Sequence, residues 1–342
     1  MTILPQFFAD LETEMAALAE NEFAAASRKV WWPLCMKRRP SRGKKSVLAW
    51  LLSTARLHDE SSGLHFEELA QQLTEIEPSF SGAGLNLKRN QLEDVASDGE
   101  MREGVDLALA WAEQIGGSIA YWPQRHAAKI LRDGHLDEAN GGFNAYDGKA
   151  FFAADHDLNP YRPELGTYSN LLTGATYRID AAVSIDDARD NLGAVFGAIG
   201  AIKMPHGDDF RCLRPLALLL PPTIAPRGPE LTGVRPIVIG NPGEATLVDQ
   251  VQAMHAAGFV TPVHVSELSG FEDETTYYVV CEQVDASQLG AMLYLERSPY
   301  AITYFGTGAK LDRMHELEWH VRGRNKIATG HPFLLFKVTQ AA

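Results

Sequence analysis

The residues best suited to chemistry gather in two stretches. Asp155, His156 and Asp157 set an imidazole between two carboxylates, the groups that bind divalent metals or relay protons. A dedicated metal site needs ligands at set spacings from several elements, and one His beside acids lacks them, so the triplet reads as part of a turn. Just upstream, Tyr146-Asp147-Gly148 is a turn sequence, with Asp147 able to cap it and Gly148 free to take positive φ. In the second stretch, VRPIVIGNPGEATLVDQVQAMHAAGFVTPVHV (234–265) reads strand, Gly-containing loop, helix, strand, the order that places phosphate at a helix N-terminus. Its Gly240 and Gly243 lack the third Gly of a dinucleotide fingerprint and the GK[ST] of a P-loop, and no acid near position 260 is placed to hold a ribose. GxSxG and HExxH are absent, and HELEWH (315–320) has the wrong spacing for a zinc protease. No nucleophile is paired with a recognisable base. Hence no catalytic residue, cofactor-binding residue or metal ligand is assigned.

Composition narrows the classes further. The chain has 342 residues, 45% of them hydrophobic, enough to bury the core of one elaborated domain or two ordinary ones. A net charge of −13 argues against a general nucleic-acid binder, whose affinity depends on cations neutralising phosphates. The charge is unevenly placed. Residues 28–45 (RKVWWPLCMKRRPSRGKK) hold 8 basic residues and no acid, which leaves −21 on the rest. Arg28, Lys29, Lys37, Arg38, Arg39, Arg42, Lys44 and Lys45 in this basic strap are candidate inter-subunit contacts, facing another copy of the acidic chain or an acidic scaffold; the alternative is a solvated linker. Cys35, Cys212 and Cys281 are odd in number and show no CxxC spacing, so neither a disulfide framework nor a zinc cluster is expected and a reducing cytoplasm fits. Asp10, Glu12 and Glu14 stand where an export signal would be basic, and LALLLPPTIA (216–225) is too short and Pro-broken to span a bilayer, so no membrane contact is expected.

The element that must position these groups is a long helical run from Glu100 to about Arg132. Apolar or small residues at Val105, Ala108, Leu109, Ala112, Ile115, Ile119, Trp122 and Ile130 build one stripe at helical spacing. At about 1.5 Å per residue the run would reach roughly 50 Å, well beyond an average helix of roughly 11 to 12 residues. Gly116, Gly117 and Pro123 interrupt it and predict a bend. Residues 3–26 form an amphipathic arm, with Leu11, Met15, Leu18 and Phe23 on its apolar face, and the strap after it is expected to lack regular structure because of Pro33 and Pro40. Residues 46–94 are short pieces: VLAWLL, then LHFEELAQQLTEI with a helical EELAQQLTEI, then LNLKRNQLED, where Leu85 and Leu87 alternate as in a strand returning to the body. No piece there is long enough to bury its own core. Ser184 N-caps a helix to about 202, Leu213 to Leu220 is a buried strand, and the last 70 residues are β-rich (276–284, 291–296, 300–305, 315–321, 332–338). The final two strands are expected to pair antiparallel around RGRNKIATG as a turn.

In order, the chain shows a Trp-containing loop, LNLKRNQLED, the long helix with its internal Pro, YDGKAFF followed by DH, YSNLL, a strand ending in LLPP, and a terminal WHVRGRN. This combination resembles the Mu-like major head subunit family of tailed phages and prophages over roughly residues 46–342. The resemblance implies an α+β subunit of the Hong Kong 97-type phage capsid fold. Its parts would be an N-terminal arm (1–45), an extended loop (46–94), a peripheral domain (95–175) with a spine helix at about 99–132, an axial domain (176–288), and returning peripheral strands (289–342). Tyr146, Asp147, Gly148, Phe152, His156, Trp319, Gly323, Arg324 and Asn325 would be structural family-motif residues. The implied role is a major capsid protein with no catalysis and no cofactor. It would self-assemble into pentamers and hexamers of an icosahedral shell, in the host cytoplasm and then in the virion, with a scaffold protein, a portal and a decoration protein as partners. The shell would contain double-stranded DNA without sequence-specific binding. The bend at Gly116, Gly117 and Pro123 would either change curvature as a precursor shell expands or be a fixed kink. Two alternatives stay open: an α/β enzyme with a phosphate-binding loop at 240–243, and an encapsulin-like compartment shell.

Overall fold

The computed structural model describes residues 4–41, 43, 46–51, 71–88, 103–204, 210–233, 260–270, 275–284, 289–304 and 316–340. The arm is helix α1, Leu4–Ser27, and the long run is helix α2, Glu103–Asp133, 31 residues with Pro123 inside it. A helix so long needs an apolar stripe along its length, and the stripe is two-part. Ala108, Ala112, Gly116 and Ala120 recur every four residues and are buried, and Ala127, Ala128, Ile130 and Leu131 continue the buried side beyond Pro123. The buried stripe of α1 is Leu11, Met15, Ala19 and Ala26, whereas Phe23, expected on it, is 38% exposed. Helix α3 (Ile185–Gly200) starts where the sequence places it: the Asp187 N–H donates to the Ser184 side chain at 3.1 Å, Asp186 and Asp187 occupy the first turn, and Ala188, Leu192, Val195 and Ile199 are buried.

Among the described residues the strands are β1 (Met36–Pro40), β2 (Ser46–Leu51), β3 (Gln71–Ile76), β4 (Ser79–Lys88), β5 (His156–Asp157), β6 (Thr167–Tyr168), β7 (Leu171–Thr173), β8 (Leu213–Leu220), β9 (Thr261–His264), β10 (Tyr277–Gln283), β11 (Met292–Tyr304), β12 (Glu316–Thr329) and β13 (Leu335–Thr339). They form a four-stranded sheet ordered β1-β11-β12-β4, a five-stranded sheet ordered β7-β13-β10-β8-β9, and the pairs β2-β3 and β5-β6. One large core lies between the five-stranded sheet, α3 and the second half of α2; a smaller one joins α1, the first half of α2 and the four-stranded sheet through Met15, Leu87, Ala108 and Trp319.

Four local expectations are overturned. The strap does contain regular structure: β1 pairs parallel with Met292–Glu296, and Pro40 is tolerated because it ends an edge strand. QQLTEI is a strand, not part of a helix, since it pairs antiparallel with Ser46–Leu51. The two pieces 291–296 and 300–305 belong to one strand, β11, interrupted by register shifts between Glu296 and Ala301. RGRNKIATG is not a turn. It continues β12, where Trp319, Val321, Gly323, Asn325 and Ile327 alternate inward, and β13 lies in the other sheet. Gly323 obscured this strand in the sequence. In three dimensions it is required, because a Cβ there would meet the Tyr300 ring at 2.8 Å. Gly240, Gly243 and the helix expected after them lie outside the described residues; the strand that ends that unit is β9.

Candidate functional site

Three junctions tie distant segments together, and most of the singled-out residues fall in them. The first is where the arm meets α2. A Cβ on Gly116 would stand 2.3 Å from the Ala19 carbonyl oxygen, so this glycine lets α1 cross α2 closely; at Gly117 the nearest atom is Glu22 Cγ at 4.0 Å. About two turns on, Pro123 is buried and deprives the Ile119 carbonyl of its helical donor. At the adjacent carbonyl, Ala120, the Trp32 indole N–H donates at 3.2 Å. The Trp31 backbone N–H donates to Gln124 Oε1 at 3.1 Å, and both the Gln124 amide (2.5 Å) and the Trp31 indole N–H (3.4 Å) donate to the Glu267 carboxylate. Secondary structure is unbroken through Gly116, Gly117 and Pro123, and the arm is clamped to α2 across them. A groove of about 460 Å³ opens beside this clamp, lined by Phe23, Trp32, Pro123, Tyr294 and Ile302, with Arg38 and Glu296 on its wall.

The second junction is the YDGKAFF turn at the C-terminal end of α2. Gly148 has φ +78, and the Lys149 N–H donates to Asp147 Oδ1 at 3.2 Å, closing the turn. The other Asp147 oxygen meets His156 Nδ1 at 2.8 Å and the Asp157 N–H at 3.3 Å, and the Asp147 and His156 side chains are fully buried. His156 Nε2 faces the Phe151 carbonyl at 3.2 Å. Both ring nitrogens thus face protein oxygen atoms. Burial by itself raises the Asp147 carboxyl, but the bond and charge of His156 and the two backbone donors outweigh it and hold the group below the usual carboxylate range. What sequence alone weighed as a metal triplet is therefore a turn lock: His156 serves Asp147, while Asp155 and Asp157 accept from Lys149 Nζ at 3.2 and 3.3 Å. Phe152 packs at a tilt against Tyr278, whose hydroxyl donates to the Leu131 carbonyl at 2.7 Å, so the last turn of α2 is capped by a strand residue.

Asn170 closes this junction and was not singled out by sequence. It is fully buried; its Oδ1 accepts from the Ala153 N–H at 2.9 Å and its amide reaches the carbonyls of Phe151, Pro332 and Leu335 at 2.8, 3.1 and 3.2 Å. One side chain thus joins the turn to the start of β13. The visible signal is an amide inside the apolar YSNLL.

The third junction joins β12 to β4. Trp319 is fully buried and packs on Tyr304, ring centroids 5.3 Å apart. Asn325, 1% exposed, accepts from the Ser81 hydroxyl at 3.1 Å and donates to the Tyr294 hydroxyl at 3.3 Å. Arg324 donates to the Pro78 carbonyl at 2.9 Å and lies 5.1 Å from the Phe80 ring centroid, with Arg322 at 4.9 Å. Of the strap residues, Arg28 and Lys29 are exposed after α1, Lys37, Arg38 and Arg39 lie in β1 with Arg38 paired to Glu296, and Arg42, Lys44 and Lys45 lie outside the described residues. Burial pushes the Cys35 thiol up to about 12 and raises Cys281 as well, which leaves neither suited to nucleophilic attack. Among the described residues no helix is long and apolar enough to cross a membrane.

No protein-family model matches the chain, and no curated protein matches it. Solved structures do. The procapsid subunit of bacteriophage JBD30 is 15% identical, with 99% of this chain and 76% of that one covered at a TM-score of 0.50. The mature capsid of bacteriophage PhiM1 is 11% identical over 91% of this chain and 87% of that one, TM-score 0.49. An encapsulin complex of Synechococcus elongatus is 12% identical over 88% and 84%, TM-score 0.43. With its arm, its loop strands, its long helix and its two sheets, the chain has the α+β Hong Kong 97-type phage capsid fold.

Proposed function

We propose that the chain is the major capsid protein of a tailed phage or prophage, of the Mu-like head subunit type, which self-assembles into pentamers and hexamers of an icosahedral shell around double-stranded DNA. The observation that carries this reading is the alignment of 99% of the chain with a procapsid subunit. The junctions support it. In this reading residues 1–45 would be the arm, α2 the spine helix, and residues 46–94 the extended loop, with β4 pairing that loop to β12. Residues 176–288 would form the axial domain, and β11 to β13 the returning strands. Scaffold, portal and decoration proteins would be partners, with assembly in the host cytoplasm and a final place in the virion. In this reading the candidate bend at Gly116, Gly117 and Pro123 would be a fixed joint, since Ala19 and Trp32 approach α2 there from the arm side.

Electron microscopy of the expressed chain, with and without its scaffold protein, tests the reading. Shells, rings or tubes are expected. A homogeneous small oligomer that never assembles would count against it, and shells that protect protein cargo but no DNA would favour a compartment shell. Replacing residues 52–70 by a short linker, which spares β4, is expected to leave a folded subunit that no longer closes shells; normal shells would show that the loop assignment is wrong.

A further inference from the structure

The four-stranded sheet has one face toward the helices and one away from them. Odd-numbered residues of β12 from Trp319 to Ile327 are buried toward the helices, so the even-numbered ones point to the other face. Register assigns the rest. Arg324 lies opposite Phe80 of β4; Lys326 lies opposite Leu295 of β11, which lies opposite Arg39 of β1; Leu293 lies opposite Lys37. The contacts of Arg322 and Arg324 with the Phe80 ring fit the same arrangement. Lys37, Arg39, Arg322 and Arg324 therefore form a basic band on the side away from the helices, around Leu293 and Leu295, which pack with Ile76; Lys326, whose charge acts on His126 of α2, lies at the edge of the band. Phe80, 64% exposed, stands among its arginines. Glu77, 3.9 Å from Arg324, and Glu318, beside His320, mark its margins.

We propose that this band docks the acidic helical side of a second copy of the chain, a proposal that rests on the shell reading and names one of its contact surfaces. Charge complementarity carries it. The chain is −13 overall, so everything outside the band is more acidic still, and exposed Glu14, Glu20, Asp106 and Glu113 lie on α1 and α2. A contact between two different surfaces of identical chains is heterologous and propagates into rings. Arginine around an exposed aromatic is the composition of an interface centre.

The test uses the full chain carrying Arg322→Glu and Lys326→Glu, which leaves the Arg324 bond to Pro78 in place, with Arg322→Lys as the conservative control. Circular dichroism verifies folding, and Phe80→Ser serves if the double variant does not fold. Sedimentation velocity at low salt is expected to show self-association weakened about tenfold or more by charge reversal, and retained by the Lys variant. Mixing the double variant with a Glu14→Lys, Glu20→Lys chain is expected to restore association. Unchanged association, or failure of the mixture to associate, overturns the proposal. Loss of affinity for a labelled DNA duplex with self-association intact overturns it in favour of nucleic acid. Normal shells from the double variant sink the band and leave the shell reading, whereas band-dependent small oligomers that never close sink the shell reading and leave the band.

Discussion

Along its first half α2 presents Ala108, Ala112, Gly116 and Ala120 to α1 and the four-stranded sheet; along its second half it presents Ala127, Ala128, Ile130 and Leu131 to the large core shared with the five-stranded sheet and α3. Among the described residues, forty buried hydrophobic residues lie in the core around the second half and seven in the cluster around the first, with three more, Ile76, Leu293 and Leu295, in a separate cluster. The first half thus depends on close backbone approach, where small residues bring two helices together and little apolar area is removed from water. The second half depends on bulk. A helix held this way has one end fixed by the large core and the other held mainly by α1.

The largest expected effects come from removing one anchor at each end. Trp319→Ala and Phe152→Ala are each expected to cost about 3–5 kcal/mol. Trp319→Ala is expected to free the arm first, with protease cutting in α1 before global unfolding in urea, while Phe152→Ala lowers one cooperative transition. A single shared transition for both would show that the two ends do not differ. Next, Asn170→Ala orphans the Ala153 N–H and buried carbonyls on two segments, and is expected to cost about 1–3 kcal/mol for each group left unsatisfied, measured by chemical denaturation. An effect below that of a surface substitution would refute its role as a tie.

Gly116→Ala and Gly117→Ala sharpen the contrast within one helix turn. The first is expected to destabilise by about 1–3 kcal/mol through its clash with the Ala19 carbonyl. The second, with open space around it, is expected to stabilise by about 0.5–1 kcal/mol, as Gly to Ala does in a helix interior. Equal effects in thermal melts would mean that backbone freedom, not the arm crossing, is what the Gly pair provides. The smallest effect is electrostatic. The Asp147 carboxyl is held below its ordinary range in the folded chain, so the unfolded chain binds the proton more readily as pH falls. Its stabilisation is complete above the ordinary carboxylate range and is lost as pH falls through the folded value. Asp147→Asn is expected to flatten the acid limb of stability against pH, by up to the slope of one proton, while leaving the neutral region flat.

Much of the fold was legible where the signal is local. Periodicity marks α1, α2 and α3, Ser184 marks a helix start, and the run Leu213–Leu220 marks a buried strand. The three junctions were only half visible. The YDGKAFF, YSNLL and WHVRGRN motifs mark where they lie, but the role of Asn170 as a tie is not written in its motif, and Gln124 and Glu267 carry no periodic or motif signal, because a buried polar side chain is explained only by the partners it meets. Strand and turn were confused at RGRNKIATG and in the strap because Gly323 and Pro40 are turn residues by type and strand residues by environment.

By itself, then, the sequence determined the helices α1, α2 and α3, the buried strand Leu213–Leu220, and that the chain is an acidic body with a basic strap, since these depend on residue type and spacing within a few turns. Tertiary structure decided that Gly116 is a crossing point, that His156 locks a turn, and that the strap and the terminal strand share one basic face. Each of these depends on a pairing between segments far apart in the chain, and pairing is set by register and packing, which no local pattern encodes.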